Sequence, residues 1–475
     1  MYRIIFLYLI LIPSNLLAES RTSCKEAFKR FVEPYQRLFH KLPKDTSIYT
    51  DSDIIELIKI RADECNTKSA SMRTMRTIVD GISDHTGKIG VLLPLSGLRS
   101  HEGKDILEGM RSLYPYRGLS FNQRVVVRDT AGLAVNFERY LAELIFRHRV
   151  SIVIGGLTQT ESTFLGKWSA DLKVPSLILN QKKQPRVDVQ NFFLYPNELS
   201  LTAALLRQIT KKGYKRVAFL RPQRRTTNSI GSQLEILLKR QGIETTHNYV
   251  YTRGDYPSME SAAKRVFKID PVERKDEFRK LVDQAKRKAK EAGVRFNPSL
   301  IALSPIIDVD AIFIDDNFRT VRHYTKIFEF LGVEKIPLIG TPQWRSKGLV
   351  EPPNQFLEGA FFVDYIGDYR MLPAGIAAPT VASSYFVKPD YSDRIDYMII
   401  GQHAIKTADR TLSKPMMKRY NLYKRMATLQ NVGSRYFTEG PIFAKDHSAI
   451  WPSFVFRISG HDIQPMTNNA RNITR

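Results

Sequence analysis

The residues best suited to bind a small molecule are hydroxyl and amide side chains in loops that follow short apolar runs. In the first half of the chain these residues are Ser96 and Gly97, then Thr158, Gln159 and Thr160, then Asn180 and Gln181. If the runs are strands of an open parallel sheet, the loops lie at their carboxyl ends, where such sheets bind ligands. Thr160 also begins a predicted helix, whose free N–H groups and positive dipole end suit an anion.

The sequence contains none of the motifs that mark common enzyme classes. It has no G-x-S-x-G elbow, H-E-x-x-H pair, P-loop, C-x-x-C or G-x-G-x-x-G. Ser/His/Asp sets can always be assembled from 475 residues, and His403 or His447 with Asp396 is no better than chance. We therefore predict a protein that is not an enzyme, with no catalytic residue, no metal site and no cofactor.

The elements that position the first set of loops lie between residues 88 and 180. Apolar strands are predicted at 88–97, 124–129, 151–156 and 174–180, and amphipathic helices at 103–113, 137–148 and 160–172. Short continuous apolar strands that alternate with helices are typical of a parallel sheet covered on both faces.

The second half repeats this alternation. Strands are predicted at 215–222, 245–252, 309–315 and 336–340, with helices at 201–212, 230–241 and 318–331. A further strand at 358–365, helices at 392–412 and 415–430, and a pair of strands within 448–465 follow. The predicted fold class is α/β, with two Rossmann-like lobes that have parallel sheets and are joined by a multi-strand hinge, plus a small N-terminal helical segment. Hinge closure over a cleft is the expected motion.

The first eighteen residues have the layout of a cleavable secretory signal. One cation, Arg3, precedes an apolar run at 4–12, and Ala18 ends the segment. A first helix of the folded domain is the less favoured alternative, because the run is apolar on every face. We expect export to the periplasm, and no lipid anchor is evident because no Cys stands at the expected mature terminus after Ala18.

Two cysteines, Cys24 and Cys65, follow the signal. In an exported chain they predict one disulfide, which would close a loop of about forty residues and stabilise the fold by about 4 kcal/mol. The predicted organisation is a helical pre-domain at 19–86, a two-lobed domain at 87–465 and a tail at 466–475. Lobe 1 spans about 87–195 and lobe 2 about 196–360, and each also takes part of the C-terminal region.

The chain is strongly cationic, with a formal net charge of +24. This charge favours anionic partners, and a signal peptide makes nucleic acid an improbable one, so an anionic envelope surface is the expected candidate. A solvated, self-repelling surface is the alternative. The basic clusters are Lys182-Lys183, Lys211-Lys212, Arg224-Arg225 and 286–290.

A charged insertion, 270–293, separates two strands of the second half. Its apolar residues Phe278, Leu281, Val282 and Ala285 have the spacing of one narrow helical stripe. The segment is predicted to be a surface helix that either docks a partner or is only solvated.

The order of these segments resembles a known family. KIGVLLPLSG, VVVRDTAG, VSIVIGGLTQTES with VPSLILN, YKRVAFLRP, and DVDAIFIDD with IPLIGTPQW are similar to the type I periplasmic binding proteins of the branched-chain amino acid class. The last of these segments also looks like the envelope activators of penicillin-binding proteins. This chain lacks the lipidated Cys of those activators, and its pre-domain is too short for their helical repeat array.

The resemblance implies a site and two alternative functions. The loop residues named above would hold a ligand carboxylate, and lobe 2 would offer Arg221, Asp315 and Trp344, the last two suited to an ammonium group. One function is a non-catalytic receptor that closes two lobes on a small polar ligand such as an amino acid, for a membrane transporter or sensor. The alternative is an interaction protein with a degenerate cleft, whose basic surface regulates a cell-envelope enzyme.

Overall fold

The computed structural model describes residues 33–39, 41, 85–114, 118–180, 188–196, 198–223, 230–298, 301–365, 392–413, 419–429 and 441–466. The chain forms two compact units. Unit 1 contains Met1–Tyr195, Ile400–Gln430 and Phe443–Ser448, and unit 2 contains Pro196–Ile399, Asn431–Ile442 and Ala449–Arg475. The chain therefore passes between the units more than once. The predicted signal peptide, Cys24 and Cys65 lie outside the described residues.

Unit 1 is built on a five-stranded sheet in which every neighbouring pair is parallel. The strand order is β2-β1-β3-β4-β5. All residues of β1 and β3 are buried, as expected for central strands covered on both faces. The strands are β1 (Ile89–Leu93), β2 (Val125–Asp129), β3 (Ile152–Gly155), β4 (Ser176–Ile178) and β5 (Asn191–Phe193).

Helices cover this sheet. One core cluster joins β1, β3 and β4 to α4 and α5 through Leu92, Phe137, Leu165 and Ile178, all less than 2% exposed. Helix α1, from the predicted pre-domain, packs against α4 and α5 and buries Leu38 completely, which contributes roughly 2 kcal/mol. The helices are α1 (Glu33–Phe39), α2 (Ser100–Arg111), α3 (Phe121–Arg124), α4 (Ala134–Phe146) and α5 (Gln159–Leu172).

Unit 2 contains a seven-stranded sheet, in the order β14-β13-β10-β9-β8-β6-β7. The five neighbouring strands β10, β9, β8, β6 and β7 are parallel to one another. Strand β13 pairs with β10 in an antiparallel manner, and β14 pairs with β13 in the same way. The strands are β6 (Arg216–Pro222), β7 (Glu244–Tyr251), β8 (Ala311–Ile314), β9 (Leu338–Gly340), β10 (Phe361–Asp364), β13 (Phe454–Ser459) and β14 (Asp462–Met466), and β11 (Ile442–Phe443) pairs with β12 (Ala449–Ile450) in a separate two-stranded sheet.

The unit 2 helices pack in pairs: α6 contacts α7, and α8 contacts α10. They are α6 (Glu198–Lys211), α7 (Ile230–Arg240), α8 (Tyr256–Val266), α9 (Lys275–Glu291), α10 (Phe318–Phe330) and α11 (Lys347–Val350). Two helices follow, α12 (Ser392–Thr411), in which the unit boundary falls, and α13 (Leu422–Ala427). The segment 415–430, predicted as one helix, contains instead a 3₁₀ turn at Arg419–Asn421 and the short α13.

The charged insertion folds into α9, which has no buried residue. The predicted stripe of Phe278, Leu281, Val282 and Ala285 is half-buried, and the residues between are exposed. The helix is therefore a surface element that is partly covered only along this narrow apolar stripe. None of the helices in the described part of the chain combines the length and apolar character that a membrane crossing needs.

Candidate functional site

The loops that follow β1 and β2 are joined by one carboxylate. Asp129 Oδ1 accepts hydrogen bonds from the backbone N–H groups of Leu95 at 2.8 Å, Ser96 at 3.1 Å and Ala131 at 2.8 Å. Burial acts to raise the pKa of Asp129, but the Ser96 hydroxyl and these N–H groups outweigh it, so that the pKa lies below its usual value. Asp129 is therefore a charged clamp between two loops.

Gly97 completes this junction. Its φ of +79° is a left-handed conformation that other residues adopt at a cost, and a Cβ there would lie 2.8 Å from the carbonyl oxygen of Ala131. Only glycine allows the two loops this close approach.

The loop after β3 is fixed by a capping box at the start of α5. Thr158 Oγ1 accepts from the N–H of Glu161 at 3.2 Å, and Glu161 Oε2 accepts from the N–H of Thr158 at 3.2 Å. The other Glu161 oxygen accepts from the hydroxyl of Thr130, in the loop after β2. Glu161 is fully buried, and both of its carboxyl oxygens accept hydrogen bonds within this network.

The carbonyl oxygen of Leu157, in the loop after β3, joins this loop to the loops after β1 and β4. It accepts from Arg99 Nη1 at 2.9 Å and from Asn180 Nδ2 at 3.0 Å. Arg99 follows β1 and also pairs with Glu102, and Asn180 follows β4. The carboxyl ends of β1, β2, β3 and β4 thus form one hydrogen-bonded platform, which we call the unit 1 rim.

The rim presents polar groups to its surroundings. Ser96, Gly97, Gln159 and Thr160 are exposed, and Thr158 is half-buried. Gln159 and Thr160 occupy the first turn of α5, where backbone N–H groups have no acceptor within the helix. Exposed hydroxyls beside free N–H groups at a positive helix end form an arrangement that can bind an anion.

In unit 2 the predicted residue Arg221 is engaged within the unit. Its guanidinium pairs with Glu235 at 3.1 Å, donates to the carbonyl of Gly231 at 2.7 Å and stacks 4.5 Å from the ring centroid of Phe219. Asp315 also lies close to Gly231, since a Cβ added to Gly231 would be 2.9 Å from Asp315 Oδ2. Asp315 is only 4% exposed.

An adjacent cluster in unit 2 was missed by the sequence reasoning. Asp316, which is fully buried, accepts from Tyr251 Oη at 2.8 Å and pairs with Arg253 at 2.6 Å. Burial, with the negative charge of Asp316, raises the pKa of Tyr251 far above its usual value, so this hydroxyl remains a donor. The only signal in the sequence was the Asp315-Asp316 pair at the end of an apolar run.

Trp344 is a core residue of unit 2. It is fully buried, its Nε1 donates to the carbonyl of Ile314 at 3.3 Å, and its ring packs against the backbone of Gly340, where a Cβ would lie 2.1 Å from it. Its ring is therefore occupied by packing. Gln181 lies outside the described residues.

The histidines and the aspartate first considered as a chance catalytic set have structural contacts. His447 stacks on Phe192 with ring centroids 4.3 Å apart, and Asp396 pairs with Arg345. His403 is buried on α12. Among the described residues, no cluster of three or more His, Cys, Asp or Glu could hold a metal ion.

Solved structures share this fold. A putative branched-chain amino acid ABC transporter protein from Rhodospirillum rubrum is 14% identical, with a TM-score of 0.56, over 80% of this chain and all of its own. The C-domain of LpoA (YraM) from Haemophilus influenzae, a regulator of PBP1A, is 13% identical, with a TM-score of 0.51, over the same shares. No protein-family model matches the sequence. No curated protein matches it either.

The chain has the fold of the type I periplasmic binding proteins. The resemblance seen in the sequence is confirmed at the level of the fold, with two parallel-sheet α/β units of the predicted class. Identities below 15% leave the ligand and the partner to be inferred from the site.

Proposed function

We propose that the protein is an exported, non-catalytic ligand-binding protein of the type I solute-binding class. Its unit 1 rim binds the carboxylate of a small polar ligand such as an amino acid. The observation that carries this proposal is the hydrogen-bonded rim, which fixes the exposed first turn of α5 through the capping box of Thr158 and Glu161. The fold shared with a putative branched-chain amino acid transporter protein supports the same class.

The rim is suited to recognition because its own charges are already satisfied. Asp129 and Glu161 are held by N–H and hydroxyl donors, and Arg99 pairs with Glu102. The groups left to a ligand are the hydroxyl of Thr160 and the N–H groups of Gln159 and Thr160, which are all hydrogen-bond donors. Donors fixed in advance bind a carboxylate without the entropic cost of ordering them.

A thermal-shift screen against an amino-acid panel tests the proposal. A ligand at 100 times its Kd stabilises a protein by about 2.7 kcal/mol, which is readily measured. Thr160→Glu places a negative charge where the carboxylate would bind, and a carboxylate in the first turn does not harm the helix. Thr163→Glu is the matched control, because Thr163 is exposed on the same helix one turn later.

We expect at least one compound to stabilise the wild-type protein and Thr163→Glu, and Thr160→Glu to lose that shift. A panel in which no compound moves the melting temperature would overturn the proposal. Equal stabilisation of Thr160→Glu and the wild type would overturn the assignment to the rim.

The second candidate function is an envelope interaction protein that contacts an enzyme through a basic surface. The observation in its favour is α9, which has no buried residue and carries Lys286, Arg287, Lys288 and Lys290, all exposed. The engagement of Arg221 and the burial of Trp344 within unit 2 also fit a degenerate ligand site. The fold shared with the LpoA C-domain is consistent with this role.

Charge reversal separates this candidate from the first. Under this candidate, Lys286→Glu with Lys288→Glu and Lys290→Glu should abolish cross-linking to an envelope partner, and no compound of the amino-acid panel should stabilise the wild-type protein. Unchanged cross-linking would exclude α9 as the partner-binding element.

A further inference from the structure

Glu161 brings a carboxylate to the start of α5 in the interior of unit 1. Its side chain is fully buried, and its two oxygens accept from the N–H of Thr158 at 3.2 Å and from the hydroxyl of Thr130. Thr130 Oγ1 accepts in turn from the N–H of Gly132 at 3.3 Å. The carboxylate therefore has a fixed place between the loops after β2 and β3, next to the first turn of α5.

No cation offsets this carboxylate in the described part of the chain. None of the ion pairs found there includes Glu161 or Asp129, the carboxylate in the loop after β2. Hydrogen bonds lower the cost of burying a carboxylate, but its negative charge remains. A buried charge is also screened by salt much less than an exposed one. The field of Glu161 therefore acts on any ligand bound at the first turn of α5.

Arg99, a cation that bonds to the rim, is already paired. It donates to the carbonyl of Leu157 at 2.9 Å, and its charge is offset by Glu102. The other formal charges in the first two turns of α2, on Lys104 and Asp105, have opposite signs. The cations Lys182, Lys183 and Arg186 follow Asn180 and lie outside the described residues, and every variant compared below retains them.

The first turn of α5 has few N–H groups left to balance a ligand anion. The N–H of Glu161 is bonded to Thr158 Oγ1 at 3.2 Å, and the N–H of Ser162 is bonded to the carbonyl of Thr158 at 2.9 Å. The N–H groups of Gln159 and Thr160 remain, and together with the helix dipole they suit one carboxylate. A second negative charge on the ligand would meet the repulsion of Glu161 without a further N–H group of this turn.

We propose that Glu161 sets the charge class of the ligand, so that the unit 1 rim accepts a single carboxylate and rejects dicarboxylates, including the acidic amino acids. This inference rests on the proposed function, because it concerns the ligand of the same site. Because it is fully buried, Glu161 does not touch the ligand. It acts through its charge and through the position of the first turn, and it is a specificity-determining residue of the rim.

Competition by two small acids tests the proposal in the full chain. The panel compound that stabilises the protein most is titrated by calorimetry in the presence of butyrate or succinate, which are similar in size, with sodium chloride keeping the ionic strength constant. The ratio of the two inhibition constants measures the preference of the rim for one carboxylate over two. In the wild type we expect succinate to compete roughly tenfold more weakly than butyrate, as one added charge near a buried carboxylate predicts.

Two variants assign this preference to Glu161. Glu161→Gln removes the charge and keeps the shape, because glutamine also serves at this position of a capping box, and it should shift the ratio roughly tenfold toward succinate. Asp171→Asn is the matched control, since it makes the same change of charge on the last turn of α5, about 15 Å along the helix. Its ratio should stay at the wild-type value. A purely structural role of Glu161 would weaken both acids alike and leave the ratio unchanged.

Three results would overturn the proposal and leave the proposed function standing. The first, which needs no variant, is a wild type for which succinate competes as well as butyrate. The second is a Glu161→Gln protein that is folded by thermal unfolding and keeps the wild-type ratio. The third is an equal shift in Asp171→Asn, which would assign the preference to net charge. A panel in which no compound binds would instead reject the proposed function, and this inference would fall with it.

Discussion

Arg345 and Asp364 form a bidentate ion pair inside unit 2, in which Nε and Nη2 of the guanidinium donate to the two carboxylate oxygens. The side chains are 1% and 0% exposed. Arg345 also pairs with Asp396 on α12, so it joins the turn after β9 to the end of β10 and to that helix. Burial acts to lower the pKa of Arg345, but Asp364 and Asp396 more than compensate and hold the cation charged.

Arg345→Met should destabilise unit 2 by about 3 to 5 kcal/mol, because it leaves the buried Asp364 carboxylate without its partner. Arg279→Met on the exposed face of α9 is the control and should change stability by less than about 0.5 kcal/mol. Urea unfolding measures both. Arg345→Met with Asp364→Leu should cost less than Arg345→Met alone, and a greater cost would contradict this account of the pair.

The Asp129 clamp gives the unit 1 rim a pH dependence. The folded pKa is below its usual value, so the charged carboxylate stabilises the fold above the unfolded pKa of about 4, and this contribution is lost as pH falls through the folded pKa. Asp129→Ala should therefore cost about 2 kcal/mol at pH 7, and the difference from wild type should shrink below about pH 4. Denaturant unfolding across pH 2.5 to 7 measures this. A difference that does not change with pH would show that the charge is not what clamps the loops.

The capping box predicts an energetic coupling between Thr158 and Glu161. Thr158→Ala should cost about 1 kcal/mol, which is typical of a lost N-cap. Because the two residues bond each other reciprocally, the double variant Thr158→Ala with Glu161→Gln should cost less than the sum of the single changes by at least about 0.5 kcal/mol. A double-mutant cycle measures the coupling, and strict additivity would argue against the box.

Two helical glycines of unit 1 should respond oppositely to alanine. Gly103 lies on α2, where a Cβ would be 2.2 Å from the carbonyl oxygen of Pro94, so Gly103→Ala should destabilise by about 1 to 3 kcal/mol. Gly166 lies on α5, where the nearest atoms would be 3.5 Å from a Cβ, so Gly166→Ala should be neutral or stabilising by up to about 1 kcal/mol. Thermal unfolding of both variants distinguishes them. Equal effects would mean that α2 does not pack as closely on the end of β1 as described.

The sequence predicted the alternating architecture because local patterns specify it. The buried strand β3 was anticipated at 151–156 and is Ile152–Gly155, and the amphipathic α9 was expected within 270–293. The half-burial of its stripe from Phe278 to Ala285 also follows from residue spacing alone. Such features depend on residues that are neighbours along the chain.

The chemistry of the candidate site was less accessible, because it depends on pairs far apart in sequence. Arg99 meets Leu157 across 58 positions, and Arg345 meets Asp364 across 19. The residues next to Asp129 in the sequence do not indicate that its carboxylate joins two loops. The residues around Trp344 do not show whether its ring is buried or faces a ligand. The loops at the strand ends were identified, but which of their side chains hold the structure and which remain exposed emerged only from the packing.

The most direct test of the account is a crystal structure of the protein soaked with the compound that gives the largest thermal shift. The account predicts that a carboxylate of this compound lies about 3 Å from the backbone nitrogens of Gln159 and Thr160 and within reach of the Thr160 hydroxyl. Density for the compound at any other place, with these groups bonded only to water, would contradict it.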